Sequence, residues 1–248
     1  MGLFHTPTRP ATRTLRVLAH LLSYPDAELR AHLPELQAAL HEEAALSPAR
    51  LAELDNFITR LARRRPLEVE AEHVALFDRG RGTALHLFEH VHGDSRDRGP
   101  AMVDLCRTYE AAGLFLAPGE LPDHLTVVLQ YASTQPPAQA QAFLGEIAHI
   151  LQLIFSALLR REAAHACLLA ALLELAGEKA QAVAIAPEPE LDESWAEPEA
   201  FGGCSTQGQA RPGQPQPIQI VRAAQHAPQH PAQRATPHAH PLPPGASA

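Results

Sequence analysis

Cysteine is scarce in this 248-residue chain, and the three present, Cys106, Cys167 and Cys204, lie far apart with no Cys-x-x-Cys pair. That spacing offers neither a disulfide framework nor a thiolate metal centre, and it fits a reducing compartment. Positive charge is also short: the formal net charge is −8 with histidine neutral, which excludes the clustered basic surface that nucleic acid requires. No continuous apolar stretch precedes Arg13 and Arg16, so no secretory leader is expected and the cytoplasm is the expected location. The longest uncharged apolar run, residues 147–159, contains His149 and Gln152 and falls short of the ~20 residues that cross a bilayer. No membrane insertion is expected, and the run reads as a buried core helix. A Gly-x-Ser-x-Gly elbow is missing, and Gly80 and Gly82 are followed by no Gly-Lys-Ser/Thr, which leaves serine-hydrolase and nucleotide-binding chemistry without support.

What the chain does have is Leu and Ala, with few Val, Ile and Tyr. Straight side chains lose little rotamer freedom in a helix, so an all-α fold is expected, a single-domain helical bundle. Leu15, Leu18, Leu21 and Leu22 recur at helical spacing. Tyr24-Pro25-Asp26 then ends that helix and starts one carrying Leu29, Leu33, Leu36 and Leu40. Ser47-Pro48 is a cap followed by a first-turn proline, ahead of Leu51, Leu54, Phe57, Ile58 and Leu61. Helical patterns follow over residues 67–77 and 83–91, then 98–113 with Gly113 just past the end. Pro122-Asp123 is expected to open the next helix, and two long apolar helices, 138–160 and 162–176, close the fold before Gly177. This divides the chain into a flexible start (residues 1–12), a helical domain (13–185), an acidic and proline-rich extension (186–206) and a tail of Pro, Gln, Ala and His (207–248). The tail holds too few large apolar residues to offset the entropy of ordering it, and is expected to be disordered.

The sharpest chemical pattern is His86-Leu87-Phe88-Glu89-His90. On a helix, His86 and His90 would share a face at the spacing that lets two imidazoles bind Zn²⁺, with Glu89 as general base, so a zinc-dependent hydrolase is one reading. The plainer reading is two histidines on a helix face meeting carboxylates or backbone. Downstream, residues 93–100 alternate Asp and Arg around Gly93 and Gly99. They form either a solvated turn whose side chains cap the next helix, or a loop of fixed donors and acceptors beside a peptide-binding groove.

These residues also carry a resemblance. Phe77-Asp78-Arg79-Gly80-Arg81, residues 85–99, Met102-Val103-Asp104-Leu105, Tyr109 to Leu114 and Glu120 to Leu125 are together similar to the signature of the NarJ branch of the TorD/DmsD redox-enzyme maturation chaperones. Trp195, Glu197, Pro198 and Phe201-Gly202-Gly203-Cys204 resemble that family's C-terminal extension. The resemblance implies a TorD/DmsD-type bundle that is no enzyme and carries no cofactor or metal of its own. Its expected client is the N-terminal segment of the apo α (catalytic) subunit of a nitrate reductase, held for molybdenum cofactor insertion. Molybdenum cofactor biosynthesis proteins would be further partners. The polar frame and wall of the peptide site are expected at Phe77, Asp78, His86, Glu89, His90, Asp94, Arg96, Arg98, Asp123 and His124. His86, His90 and His124 are also expected to make peptide affinity depend on pH. His73 and Gln130 depart from the family pattern, where Tyr and Glu are common, at positions expected near the binding surface.

Overall fold

The computed structural model describes residues 10–93 and 95–185. Expectations for the first nine residues, for Asp94 and for everything after Ile185, the acidic extension and the tail included, lie outside the described residues. Described residues form an all-α bundle in which the only extended pairing is an isolated bridge between His86 and His124.

Helix α1 (Thr12–Leu22) buries Leu15, Leu18, Leu21 and Leu22, and the Glu43 carboxylate caps it by accepting from the Arg13 and Thr14 amides at 3.0 and 2.6 Å. Asp26 caps α2 (Ala27–Ala31) through the Leu29 amide at 2.8 Å. The single helix expected across Leu29 to Leu40 is instead two, because α3 (Leu33–Glu43) begins afresh after His32. Pro34 supplies no N–H, and its ring would collide with the carbonyl one turn back, so it is accommodated only in a first turn. Helix α4 (Pro48–Arg63) has the expected Ser47 cap onto the Arg50 amide. Helix α5 (Pro66–His73) runs into one wide π turn, Val74–Asp78.

A short 3₁₀ turn (Arg81–Thr83) precedes α6 (Leu87–Val91), followed by α7 (Arg98–Ala111) and α8 (Leu125–Thr134). The 23-residue helix expected after Pro137 is broken at Ile147 into α9 (Pro137–Glu146) and α10 (Ala148–Arg160), bent by 64°. A straight rod of that length would run about 35 Å and carry Leu144 or Ile154 away from the core, whereas both are fully buried here. Helix α11 starts at Ala166, four residues later than expected. The intervening residues turn the chain back sharply on a left-handed Glu162, with φ of 52°.

Helix α11 is apolar apart from Glu174, as suits a central helix. Leu168, Leu169, Leu172 and Leu173 are completely buried among α1, α4, α9 and α10. Helix α1 lies along α8, and the groove described below opens beside that pair. No single described helix is long and apolar enough to cross a membrane.

Candidate functional site

Asp123 is 0 % exposed, and it joins three segments. Its backbone carbonyl accepts from Leu87 N at 3.0 Å, while Leu125 N donates to Leu85 O at 2.8 Å, pinning the chain before α6 to the chain before α8. Its carboxylate accepts from the Phe88 amide at 3.2 Å, so α6 is capped by a residue 35 positions downstream rather than by its own flank. That carboxylate also meets His86 Nδ1 at 3.5 Å and Arg98 Nη2 at 3.6 Å, and Arg98 reaches Glu89 at 3.6 Å. Asp123 was expected to open α8; it opens α6, and His124 stands at the α8 start.

Electrostatics follow from this packing. Burial alone would raise the Asp123 carboxyl, but the hydrogen bonds from His86 and Phe88 and the nearby Arg98 guanidinium hold it below the usual carboxylate range. The Asp123 contact raises the His86 pKa above the ordinary imidazole value. His124 packs edge-on against His86, with ring centroids 4.9 Å apart, and burial together with that neighbour pushes it down to about 4. Its Nδ1 lies 2.6 Å from the Thr126 hydroxyl.

The structure therefore gathers His86, Glu89, Arg98, Asp123 and His124 into one junction at the start of α6. His90 stands apart and bonds to the Ala84 carbonyl at 2.9 Å. Phe77 belongs to the core, with its ring between His73 and His165 at 4.9 and 5.3 Å. Asp78 and Arg96 are exposed, and Asp94 lies outside the described residues.

The helix that a shared His86–His90 metal face requires is not there. His86 precedes α6 in extended conformation, and its ring is committed to Asp123. Among the described residues no group of three metal-ligating side chains could hold an ion. The Asp97 side chain gives α7 no cap; Ser95 Oγ accepts from the Asp97 amide at 3.2 Å.

Beside this junction lies an apolar groove of about 450 Å³ that the sequence reading missed. Its walls are Ala19 of α1, Tyr109 at the end of α7, Leu114, Phe115 and Leu116 of the following loop, and Val127 and Tyr131 of α8. Arg16, His20, Glu120 and Gln130 supply polar edges. The Tyr109 hydroxyl donates to the Pro122 carbonyl at 2.8 Å, and the rings of Tyr109 and Tyr131 lie 4.8 Å apart. Phe115 is 81 % exposed. Around α7, Met102, Val103, Cys106, Leu121 and Pro122 form a shallower apolar strip that leads to Asp123. Gln130 lines the groove, but His73 is buried against Leu22 O and the ring of Tyr24, so its departure bears on core packing rather than on a surface.

Residues 22–162, more than half of the chain, match the family model described as nitrate reductase delta subunit. Among curated proteins, the nitrate reductase molybdenum cofactor assembly chaperone NarJ of Escherichia coli K12 is 45 % identical over 162 residues, 65 % of this chain and 69 % of that one. The probable chaperone of the same name-class, NarW of the same strain, is 43 % identical over 163 residues, 66 % of this chain and 68 % of its own. The probable NarJ of Bacillus subtilis is 30 % identical over 161 residues, 64 % of this chain and 86 % of its own.

Proposed function

Because the chain belongs to the nitrate reductase delta subunit family, and the relatives above are named as nitrate reductase molybdenum cofactor assembly chaperones or probable ones, we propose that it serves as the chaperone of a nitrate reductase and not as an enzyme. In this reading it holds the apo α subunit by its N-terminal segment until the molybdenum cofactor is in place, working alongside the proteins that make that cofactor. The observation that carries the reading is the groove walled by Tyr109, Leu114, Phe115, Val127 and Tyr131. An exposed phenylalanine over paired tyrosines suits the apolar face of an amphipathic helix, the usual ligand of such a groove.

The polar junction takes a different part from the one its residues first suggest. Asp123 and Phe77 are buried and act by holding α6 and the core, while half-exposed His86, Glu89 and Arg98 stand where they can fix the polar end of a bound segment. Exposed Asp78 and Arg96 belong to the outer frame of this proposal, and Asp94 lies outside the described residues. Nothing in the geometry favours the zinc hydrolase.

Calorimetric titration with a synthetic peptide copying the first twenty or so residues of the cognate α subunit tests this. Phe115→Asp is expected to weaken binding by more than about 30-fold, a hot-spot effect of about 2 kcal/mol, with thermal stability unchanged because Phe115 touches little of its own core. Undiminished affinity would move the site off the groove, and no binding by the unaltered protein would exclude the N-terminal segment as client.

A further inference from the structure

The groove beside the α1–α8 pair has one permanent cation on its edge, Arg16 of α1. Its Nε donates to the Ser133 hydroxyl of α8 at 3.2 Å, and that hydroxyl donates in turn to the Gln130 carbonyl at 2.6 Å. Ser133 is buried, so it holds the guanidinium from a fixed position. The inner N–H is thereby used, and among the described residues the two terminal amino groups meet no acceptor. Carboxylates are plentiful in a chain of net charge −8, and Arg13, Arg50, Arg64, Arg65, Arg98 and Arg107 each hold one. Arg16 holds none among the described residues, and Glu120, which lines the same groove, does not reach it.

We infer that Arg16 is the residue that makes the groove selective: it takes a carboxylate, an Asp or Glu side chain that the bound segment carries beside its apolar face. The inference rests on the groove being the client site. A guanidinium is a planar fork whose two terminal amino groups match the two oxygens of a carboxylate. With Nε tethered, the fork is already oriented when the ligand arrives, so less rotamer freedom is lost on binding. A seated apolar helix shields the pair from water on the groove side, and an ion pair at such an edge is stronger than one in open solvent. Ser133 and Tyr131 lie on the same turn of α8, which places the carboxylate within one helical turn, ~5 Å, of the side chain seated on the tyrosine rings. A segment with lysine or arginine at that point meets like charge and is refused.

The test is calorimetry on the full chain, unaltered and with Arg16→Gln, using the synthetic peptide that copies the amino-terminal segment of the cognate α subunit. Arg16→Gln is expected to weaken binding about tenfold, and Arg16→Lys, which keeps the charge but not the fork, to recover part of that loss. Arg63→Glu, at an exposed site at the end of α4, should change little although it alters the net charge. Replacing the peptide's acids one at a time by Asn or Gln should single out one whose loss cancels the effect of Arg16→Gln, and Lys at that position should bind Arg16→Glu better than the unaltered chain. No weakening by Arg16→Gln, an equal loss in Arg63→Glu, or no peptide acid that couples to Arg16 would overturn the inference, as would a cognate segment that has no acid. If Phe115→Asp weakens binding while Arg16→Gln does not, the groove reading stands and the assignment of Arg16 falls; if Phe115→Asp also leaves affinity intact, both fall.

Discussion

Asp123 shows how much one buried carboxylate can organise. It is the cap of α6, the partner of His86 and Arg98, and through its carbonyl the link between the chains leading into α6 and α8. Removing it leaves the Phe88 amide without its acceptor, His86 without its carboxylate and Arg98 with Glu89 alone, so Asp123→Ala is expected to cost about 2–4 kcal/mol in urea unfolding. Asp123→Asn, which keeps an acceptor oxygen, should cost less; equal losses would show that shape rather than the acceptor matters. Histidines give the opposite kind of signal. His165, 5 % exposed against Phe57 and Phe77, is pushed by burial down to about 3, His124 to about 4, and His73 below its ordinary 6.5. The folded protein keeps these rings neutral, while the unfolded chain protonates them below pH 6.5. Their stabilisation is complete above that value and is lost as pH falls toward the folded values, about 2 kcal/mol at pH 5 for each of His124 and His165. His86, raised by Asp123, acts with the other sign: its contribution is present below pH 6.5 and fades as pH rises. Three against one, the urea midpoint should drop between pH 6.5 and 5, and a flat profile would refute the burial argument. His124 is already neutral throughout pH 5.5–8, so any pH dependence of peptide affinity that comes from the His86–His124 pair should vanish in His86→Gln.

At the scale of elements, three helices end in the same hydrogen-bonded pattern. After α7, Gly113 N donates to Glu110 O and Leu114 N to Tyr109 O; after α11, Gly177 N donates to Glu174 O and Glu178 N to Leu173 O. After α10, Glu162 N donates to Leu159 O and Ala163 N to Leu158 O. In each the pivot residue is left-handed, and in two of them it is glycine. Glu162→Gly should therefore raise stability by about 0.5–1 kcal/mol by relieving the Cβ clash of that conformation. A loss would mean that the Glu162 side chain contributes more than its strain. The glycine-ended helices were legible in the sequence because their signal is local. The breaks at His32 and Ile147 and the late start of α11 were not. Pro34 was a readable sign for the first, but the bend of α9 against α10 is set by which side chains must reach α11. The capping of α6 depends on a residue that periodicity assigned to α8.

Across the whole molecule, the bundle followed from Leu and Ala at helical spacing, whereas the polar junction joins residues 86–98 to Asp123 and His124, two stretches that the resemblance marked but whose meeting periodicity did not show. Nor did the apolar groove follow from spacing. Tyr109, Phe115 and Tyr131 come from a helix end, a loop without periodicity and a separate helix, so nothing in one dimension announces that their rings converge. The downstream cap on α6 also sets an order of assembly. A chain emerging amino end first exposes residues 85–98 well before Asp123 exists, and α6, at five residues, is too short to persist alone. The start of α6 therefore acquires its form only after Asp123 has been synthesised and α8 has docked against α1. Until then the growing chain has α1 to α7 but neither the cap of α6 nor the central α11, so a half-made molecule has no completed junction.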